Sequence, residues 1–156
     1  MHPNEKLIQR FYNCFQNRDH NGMAECYHQE IEFSDSVFTN LKGFKAKAMW
    51  RMLCERATDL DITVSNIEAD DKQGKAHWEA IYTFSKTGRK VHNKIDASFQ
   101  FKEGKIVKHI DSFNIWRWAS MALGITGQLF GWLPAIQKTI RREANDNLEK
   151  FIQKSY

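Results

Sequence analysis

The chain lacks the features that mark membrane-spanning, low-complexity and exported proteins. Its 156 residues include only two prolines and eight glycines, too few for a linker-dominated sequence. No run reaches the ~18 consecutive apolar residues that a membrane helix needs. The N-terminal segment MHPNEKLIQRF has no apolar signal core. We therefore expect one globular unit in the cytoplasm, with no membrane partner.

Paired cysteines, metal motifs and a dominant charge are also missing. Cys14, Cys26 and Cys54 are odd in number and widely spaced, which is typical of a reducing compartment. Histidines and carboxylates show no metal-ligand spacing, so we expect neither a metal nor a cofactor. The net charge is +4, but the cations are scattered among acids. This pattern favours an ordinary solvated surface, with no nucleic-acid partner.

What the chain does have is apolar periodicity of two kinds, within a composition that is 42% hydrophobic and 13% aromatic. Helical spacing predicts a helix over residues 4–18, a short helix ending near Tyr27 and a third helix opened by Gly43. A short strand is predicted from Ile31 to Asp35. Period-two alternation then predicts four strands joined by short turns, over residues 60–69, 75–85, 91–101 and 105–115. Helices followed by an antiparallel meander indicate an α+β fold.

Beyond Trp116 the pattern is helical again. Gly127 and Gly131 are expected to break this segment, and Pro134 suits the first turn of a last helix. That helix has an apolar stripe that must cover something: the pocket mouth, a partner subunit or a membrane. Its remaining faces mix acids with bases, which disfavours a membrane surface. We expect lid or dimer packing.

The segments LKGFKAKAMW and FKEGKIVKHIDSFNIWRW, in this order of elements, resemble the nuclear transport factor 2-like superfamily. Within it the chain is similar to the SnoaL-type branch, which also includes ketosteroid isomerases and limonene epoxide hydrolases. The resemblance implies a cone-shaped, cystatin-like fold, in which a curved antiparallel sheet wraps around N-terminal helices and leaves a pocket at the open end. It also implies a homodimer. We expect the SnoaL-like domain to span residues 1–116 and a C-terminal helical extension to span 117–156, packed on the same domain or on a partner.

The resemblance implies that Asp35 is a catalytic residue. In ketosteroid isomerases the catalytic aspartate follows a tyrosine by eight residues, and Tyr27 and Asp35 keep that spacing. An apolar setting would raise the pKa of this carboxyl and make it a better base near neutral pH, and the isomerase pocket itself tunes its carboxyl groups in this way. The alternative is an aspartate that only caps a turn.

Both oxyanion donors of the isomerase are missing. The resemblance places one at Phe11, which has no hydroxyl, and the other at Ala97. Asp96 is adjacent, but it has the opposite strand parity and is expected to point outward. Steroid isomerisation by the family mechanism is therefore not expected. Epoxide hydrolysis would need an arginine between Asp35 and Asp111, and no arginine has a suitable position.

His109 and Asp111 lie two residues apart on a predicted strand, so their side chains share one face. This arrangement resembles that of SnoaL-type cyclases, which use a pocket aspartate as general acid/base. Asn93 has the parity to join the pair. The alternative is a buried polar network that only fixes the strand.

We thus expect Asp35, His109 and Asp111 to be catalytic and the pocket to take a small, mainly apolar molecule, such as a polyketide- or steroid-like one. The protein would be an acid/base isomerase, cyclase or hydrolase, or else a non-catalytic binding or protein-interaction module. The predicted ligand-contacting residues are mostly aromatic: Phe11, Phe15, Tyr27, Phe33, Trp50, Trp78, Tyr82, Asn93, Ala97 and Phe113.

Overall fold

Helices come first along the chain, a meander of strands follows, and three helices close it. In the computed structural model, which describes residues 1–156, the elements are α1 (Pro3–Gln16), α2 (His20–Cys26), β1 (Tyr27–Ser34), β2 (Leu41–Lys42), α3 (Phe44–Arg56), β3 (Asp61–Ala69), β4 (Gln73–Phe84), β5 (Arg89–Lys102), β6 (Lys105–Ser112), α4 (Ile115–Leu123), α5 (Ile125–Phe130) and α6 (Pro134–Ser155). No helix is both long and apolar enough to cross a membrane.

All six strands form one open, curved sheet in the order β2-β1-β6-β5-β4-β3. The α+β cone expected from the sequence is confirmed. The meander β3 to β6 is antiparallel, but β1 joins β6 in parallel, a pairing that alternation alone does not reveal. In the β5–β6 register, Ala97 is opposite Asp111 and Phe99 is opposite His109. This register brings the side chains of His109 and Asp111 against the apolar face of β5.

Local capping explains where several elements begin and end. Pro3 occupies the first turn of α1, and the His2 ring accepts a hydrogen bond from the Asn4 N–H. Asn114 caps α4 by accepting from the Arg117 N–H at 3.1 Å. Strand β6 therefore ends at Ser112, earlier than its alternation predicts. Tyr27, predicted at the end of a helix, is instead the first residue of β1.

The core lies between the concave face of the sheet and helices α1 and α3. Ile8 and Phe11 of α1 are fully buried there, as is Ala46 of α3. Trp50, also on α3, is 2% exposed. Full burial of one large apolar side chain stabilises a fold by about 1.5–3 kcal/mol. This packing fixes the two helices against the strands that carry the polar residues.

The C-terminal segment packs on the same chain. Leu148 and Phe151 of α6 are buried in the core, and the Arg141 Nε donates to the Ser36 carbonyl at 2.9 Å. Gly127, expected to break the segment, lies inside α5. A Cβ there would sit 1.9 Å from the Ala119 carbonyl oxygen, so only glycine allows α4 and α5 to pack this closely.

Candidate functional site

A cavity of about 470 Å³ lies between the concave sheet face and helices α3, α4 and α6. Nineteen of its 30 lining residues are hydrophobic, which suits an apolar molecule with few polar groups. A second depression, of about 590 Å³, lies on the surface near the β3–β4 turn and has only three hydrophobic residues among twelve. Only the first contains the predicted carboxylates.

The structure separates the predicted site residues into a cavity wall and a layer behind it. Eight line the cavity: Phe15, Asp35, Trp50, Trp78, Tyr82, Asn93, Asp111 and Phe113. Five do not: Phe11, Tyr27, Phe33, Ala97 and His109. These five are at most 4% exposed because they pack against one another and against α1 and α3. These five residues lie inside the cone, but deeper than the cavity.

The layer behind the wall contains a chain of buried hydrogen bonds that ends on Asp111. The Trp50 Nε1 donates to the Tyr27 hydroxyl at 2.8 Å, and this hydroxyl lies 2.7 Å from the His109 Nδ1. The His109 Nε2 lies 2.8 Å from the Asp111 Oδ1. His109 is fully buried and Tyr27 is 4% exposed, so the middle of the chain is shielded from water.

Donor and acceptor chemistry fixes the direction of this chain. An indole N–H can only donate, so the Tyr27 oxygen accepts from Trp50 and its own hydrogen is given to His109 Nδ1. The His109 Nδ1 is then the acceptor, and the Nε2 donates to Asp111. The hydrogens are assigned here from the network of donors and acceptors. This assignment leaves every group in the chain satisfied.

Asp111 has one oxygen engaged and one available. Its Oδ1 accepts from the His109 Nε2 at 2.8 Å and from the Trp78 Nε1 at 3.2 Å. The Oδ2 has no hydrogen-bond partner and is not among the fully buried polar atoms. Because Asp111 lines the cavity, this oxygen is open to a bound molecule.

Asp35 occupies the loop after β1 and serves two purposes. Its Oδ1 caps the turn by accepting from the N–H groups of Val37 and Phe38 at 2.7 and 2.6 Å, as a turn-capping aspartate does. The carboxyl also lines the cavity. Burial, opposed by these two hydrogen bonds and assisted by the charge of Asp111, raises the pKa of Asp35 to about 6.

Tyr12 lies behind the wall and has the one fully buried side-chain polar atom without a partner, its hydroxyl oxygen. Burial, and next the negative charge of Asp111, raises the pKa of this phenol well above its usual range. Tyr12 does not line the cavity and contacts Trp78 and Phe99. It therefore does not replace the donor missing at Phe11.

Asp96 points outward, as strand parity predicts. Its Oδ1 lies 2.9 Å from the His77 Nδ1 on the convex face. His77 and Glu79 on this face are partly exposed, and the His77 Nε2 lies 2.9 Å from the Glu79 Oε2. Between Asp35 and Asp111, no arginine bonds either carboxylate, so the arrangement needed for epoxide hydrolysis is not formed.

The C-terminal helices supply a part of the wall that sequence reasoning missed. Trp118 and Leu123 of α4 line the cavity, as do Ile140 and Ala144 of α6. The Trp118 Nε1 donates to the Tyr82 hydroxyl at 2.8 Å, which ties α4 to the wall. The apolar stripe on α6 indicated that this helix covers another surface. The sequence does not identify that surface, because it depends on packing between distant segments.

Comparisons with known proteins agree with this architecture. A family model described as a SnoaL-like domain matches residues 8–109, more than half of the chain. An LEH-like epoxide hydrolase of M. tuberculosis is 15% identical with a TM-score of 0.66, covering 83% of this chain and 96% of that one. A putative SnoaL-like polyketide cyclase from Jannaschia sp. CCS1 is 12% identical with a TM-score of 0.67, covering 76% and 90%.

A third similar structure is a protein with a ketosteroid isomerase-like fold from Catenulispora acidiphila in complex with trimethylamine, 7% identical with a TM-score of 0.68, covering 82% of this chain and 97% of that one. At such identities the likeness establishes the fold alone. A comparison with curated protein sequences gives no match.

Proposed function

The chain belongs to the SnoaL-like domain family, and on that premise we propose that it binds a small, mainly apolar molecule in its cavity and moves a proton on it by general acid/base catalysis. One observation carries this proposal. Asp111, held by His109 and Trp78, shares an apolar cavity with Asp35, whose pKa burial raises to about 6. Two carboxyls in different environments are the usual means of dividing acid and base roles.

Asp111 is the proposed base, because its Oδ2 is open to the cavity while its Oδ1 is held in place. His109 is a positioning residue: it orients the carboxylate and does not reach the cavity. Tyr27 fixes the tautomer of His109. Asp35 is the proposed second acid/base, since it is half protonated near pH 6 and exchanges a proton readily there.

Two further wall residues suggest the polarity of the substrate. The Tyr82 hydroxyl accepts from Trp118 and has its own hydrogen left to donate. The Asn93 amide makes no hydrogen bond to the protein and lines the cavity. Both can donate to a carbonyl or hydroxyl oxygen. We therefore propose an apolar substrate with such an oxygen, of which polyketide- or steroid-like molecules are examples.

Asn93 and Tyr82 would thus supply the hydrogen bonds that the family's missing oxyanion donors do not. Phe11 and Ala97 supply no hydrogen bond, and losing one oxyanion donor costs on the order of hundredfold in rate. This absence favours a second candidate, a protein that binds its ligand without converting it. We further propose a homodimer in the cytoplasm, with which three free cysteines agree, and no nucleic-acid partner. The proposal also divides the chain at residue 116, with the C-terminal extension packed on its own domain.

A generic proton-transfer reaction separates the two candidates. The probe 5-nitrobenzisoxazole loses its ring C–H proton to a base while its N–O bond breaks, giving a coloured cyanophenolate. We expect saturable acceleration beyond that of acetate at equal concentration. Ala80 lines the cavity at 4% exposure, so Ala80→Phe should fill it and remove both saturation and acceleration. Binding without acceleration supports the non-catalytic candidate, and no binding refutes both.

Ligand polarity is tested by calorimetric titration with 2-naphthol and naphthalene, which differ by one hydroxyl. We expect 2-naphthol to bind about tenfold more tightly, as one hydrogen bond of about 1.4 kcal/mol requires. Asn93→Leu with Tyr82→Phe should remove the preference and leave naphthalene binding unchanged. Equal affinities in the unmodified protein would contradict the proposed oxygen-bearing substrate.

A further inference from the structure

The surface of the α4–α5 hairpin carries a concentrated apolar patch, which we name the docking face. It consists of Trp116, Ile125, Leu129, Phe130 and Trp132, which are between 45% and 72% exposed. Half of the large exposed hydrophobic residues of the whole chain lie in this short segment. Ile125 and Leu129 of α5 are four residues apart, as residues on one helical face are, and Trp132 lies in the turn that follows this helix. Concentrated exposure of this kind indicates a contact surface.

Internal bonds hold the docking face in place without involving its apolar atoms. The Trp116 Nε1 donates to the Gln128 carbonyl at 3.1 Å, and the Trp132 Nε1 donates to the Leu129 carbonyl at 2.9 Å. Both indole N–H groups are therefore satisfied within the hairpin. The rings can enter an apolar phase without leaving a polar group unpaired, which removes the main cost of burying tryptophan.

The charged side chains in the sequence of the docking face and its flanks have one sign. From residue 112 to residue 142 the sequence contains no aspartate or glutamate. The cations Arg117, Lys138 and Arg142 are exposed and form no ion pair, whereas Lys45 and Lys86 pair with acids farther along α6. The charge mixture that disfavours a membrane for α6 as a whole is thus absent from the hairpin and from the first turns of α6.

The same hairpin forms part of the cavity. Trp116 faces outward from α4, whereas Trp118 and Leu123 of this helix line the interior. A molecule held at the docking face is therefore one helix away from the proposed site. Apolar substrates of the proposed kind dissolve poorly in water and concentrate in lipid.

We propose that the docking face binds the surface of an anionic lipid bilayer, with its five apolar side chains in the interface and Arg117, Lys138 and Arg142 at the headgroups. Segments that bind at a membrane interface typically combine aromatic and aliphatic side chains with flanking cations. A second copy of the chain is a poorer occupant, because a two-fold contact would bring these unpaired cations against each other. The added claim that the apolar ligand enters from the bilayer rests on the proposed function.

Vesicle sedimentation tests the proposal with the whole protein. We expect binding to vesicles of phosphatidylcholine with phosphatidylglycerol, at least tenfold weaker binding to phosphatidylcholine alone, and weakening with added salt. Ile125→Glu with Leu129→Glu should reduce binding at least tenfold. Ile110→Glu, an exposed apolar residue on the convex sheet face at 40% exposure, is the matched control and should bind normally.

The proposal would be overturned by a lack of binding to anionic vesicles at low salt, or by an equal loss of binding in the Ile110 control. A mass that halves when the docking face is substituted would assign the face to a second copy instead, and would also refute it. The cavity-filled Ala80→Phe variant should still bind vesicles, and the docking-face variant should still bind 2-naphthol in solution. Failure of membrane binding is thereby distinguished from failure of the proposed function.

Discussion

The imidazole of His109 and the carboxylate of Asp111 lie 2.8 Å apart on the concave face of β6, yet only the carboxylate reaches the cavity. The two residues therefore have different tasks despite their shared strand face. In the proposed function, His109 holds the carboxylate in place and Asp111 contacts the ligand. Substitutions at Asp111 and in the layer behind it should accordingly have separate effects on rate and on stability.

Asp111→Asn should reduce proton abstraction from 5-nitrobenzisoxazole by at least about a hundredfold, since general-base catalysis typically contributes that much. The asparagine oxygen can still accept from His109 and Trp78, so the fold should be preserved, as circular dichroism would show. Asp96→Asn, an outward carboxylate on the neighbouring strand, is the control and should retain the rate. Equal rates for Asp111→Asn and the unmodified protein would remove Asp111 from the mechanism.

Tyr27→Phe should lower the free energy of unfolding by about 1–3 kcal/mol, because it leaves the Trp50 N–H and the His109 Nδ1 buried without partners. Urea denaturation measures the change. Tyr12→Phe is a control of equal size: its hydroxyl is buried and already unpaired, so its removal should be neutral or stabilising. If the two variants lost the same stability, the hydrogen-bond chain would have no special weight.

Stability should fall as the pH rises from about 4 to about 6, in a manner that depends on Asp35. Burial raises the pKa of this carboxyl from its ordinary 3.8 to about 6, so between these values the folded protein binds more protons than the unfolded chain. The contribution is at most about 3 kcal/mol, two pKa units at 1.36 kcal/mol each. Asp35→Asn keeps the turn acceptor and should flatten this part of the urea-denaturation profile. A profile unchanged by the substitution would contradict the raised pKa.

Leu148→Ala should destabilise the protein by about 2–5 kcal/mol, because Leu148 is 1% exposed and joins α6 to the core. Leu129→Ala, at 55% exposure in the docking face, should change the unfolding free energy by less than about 0.5 kcal/mol. Thermal denaturation of both variants makes the comparison. Deletion of residues 134–156 should have a larger effect than either, and an unchanged melting curve after that deletion would show that α6 is not part of the fold.

Strand parity predicts which side chains of the candidate site face the interior, but it does not predict which of them reach the cavity. Alternation correctly separates Asp96 from Ala97 and places Asp111 inside. Parity predicts the face of the sheet but not the depth within the cone, so it groups His109 with Trp78 although only Trp78 lines the cavity. Depth depends on how helices fill the cone. The wall contributed by Trp118, and the parallel pairing of β1 with β6, likewise arise from contacts between distant segments that no local pattern encodes.

The Tyr27 hydroxyl has a consequence for folding order. It bonds Trp50, 23 positions away, and His109, 82 positions away. Most of the meander lies between these two partners in the sequence. Closing so long a loop is entropically slow, and the pairing of β1 with β6 must precede it. The helices and hairpins can form earlier from nearby residues. We therefore expect the chain of hydrogen bonds from Trp50 to Asp111 to be among the last features of the protein to assemble.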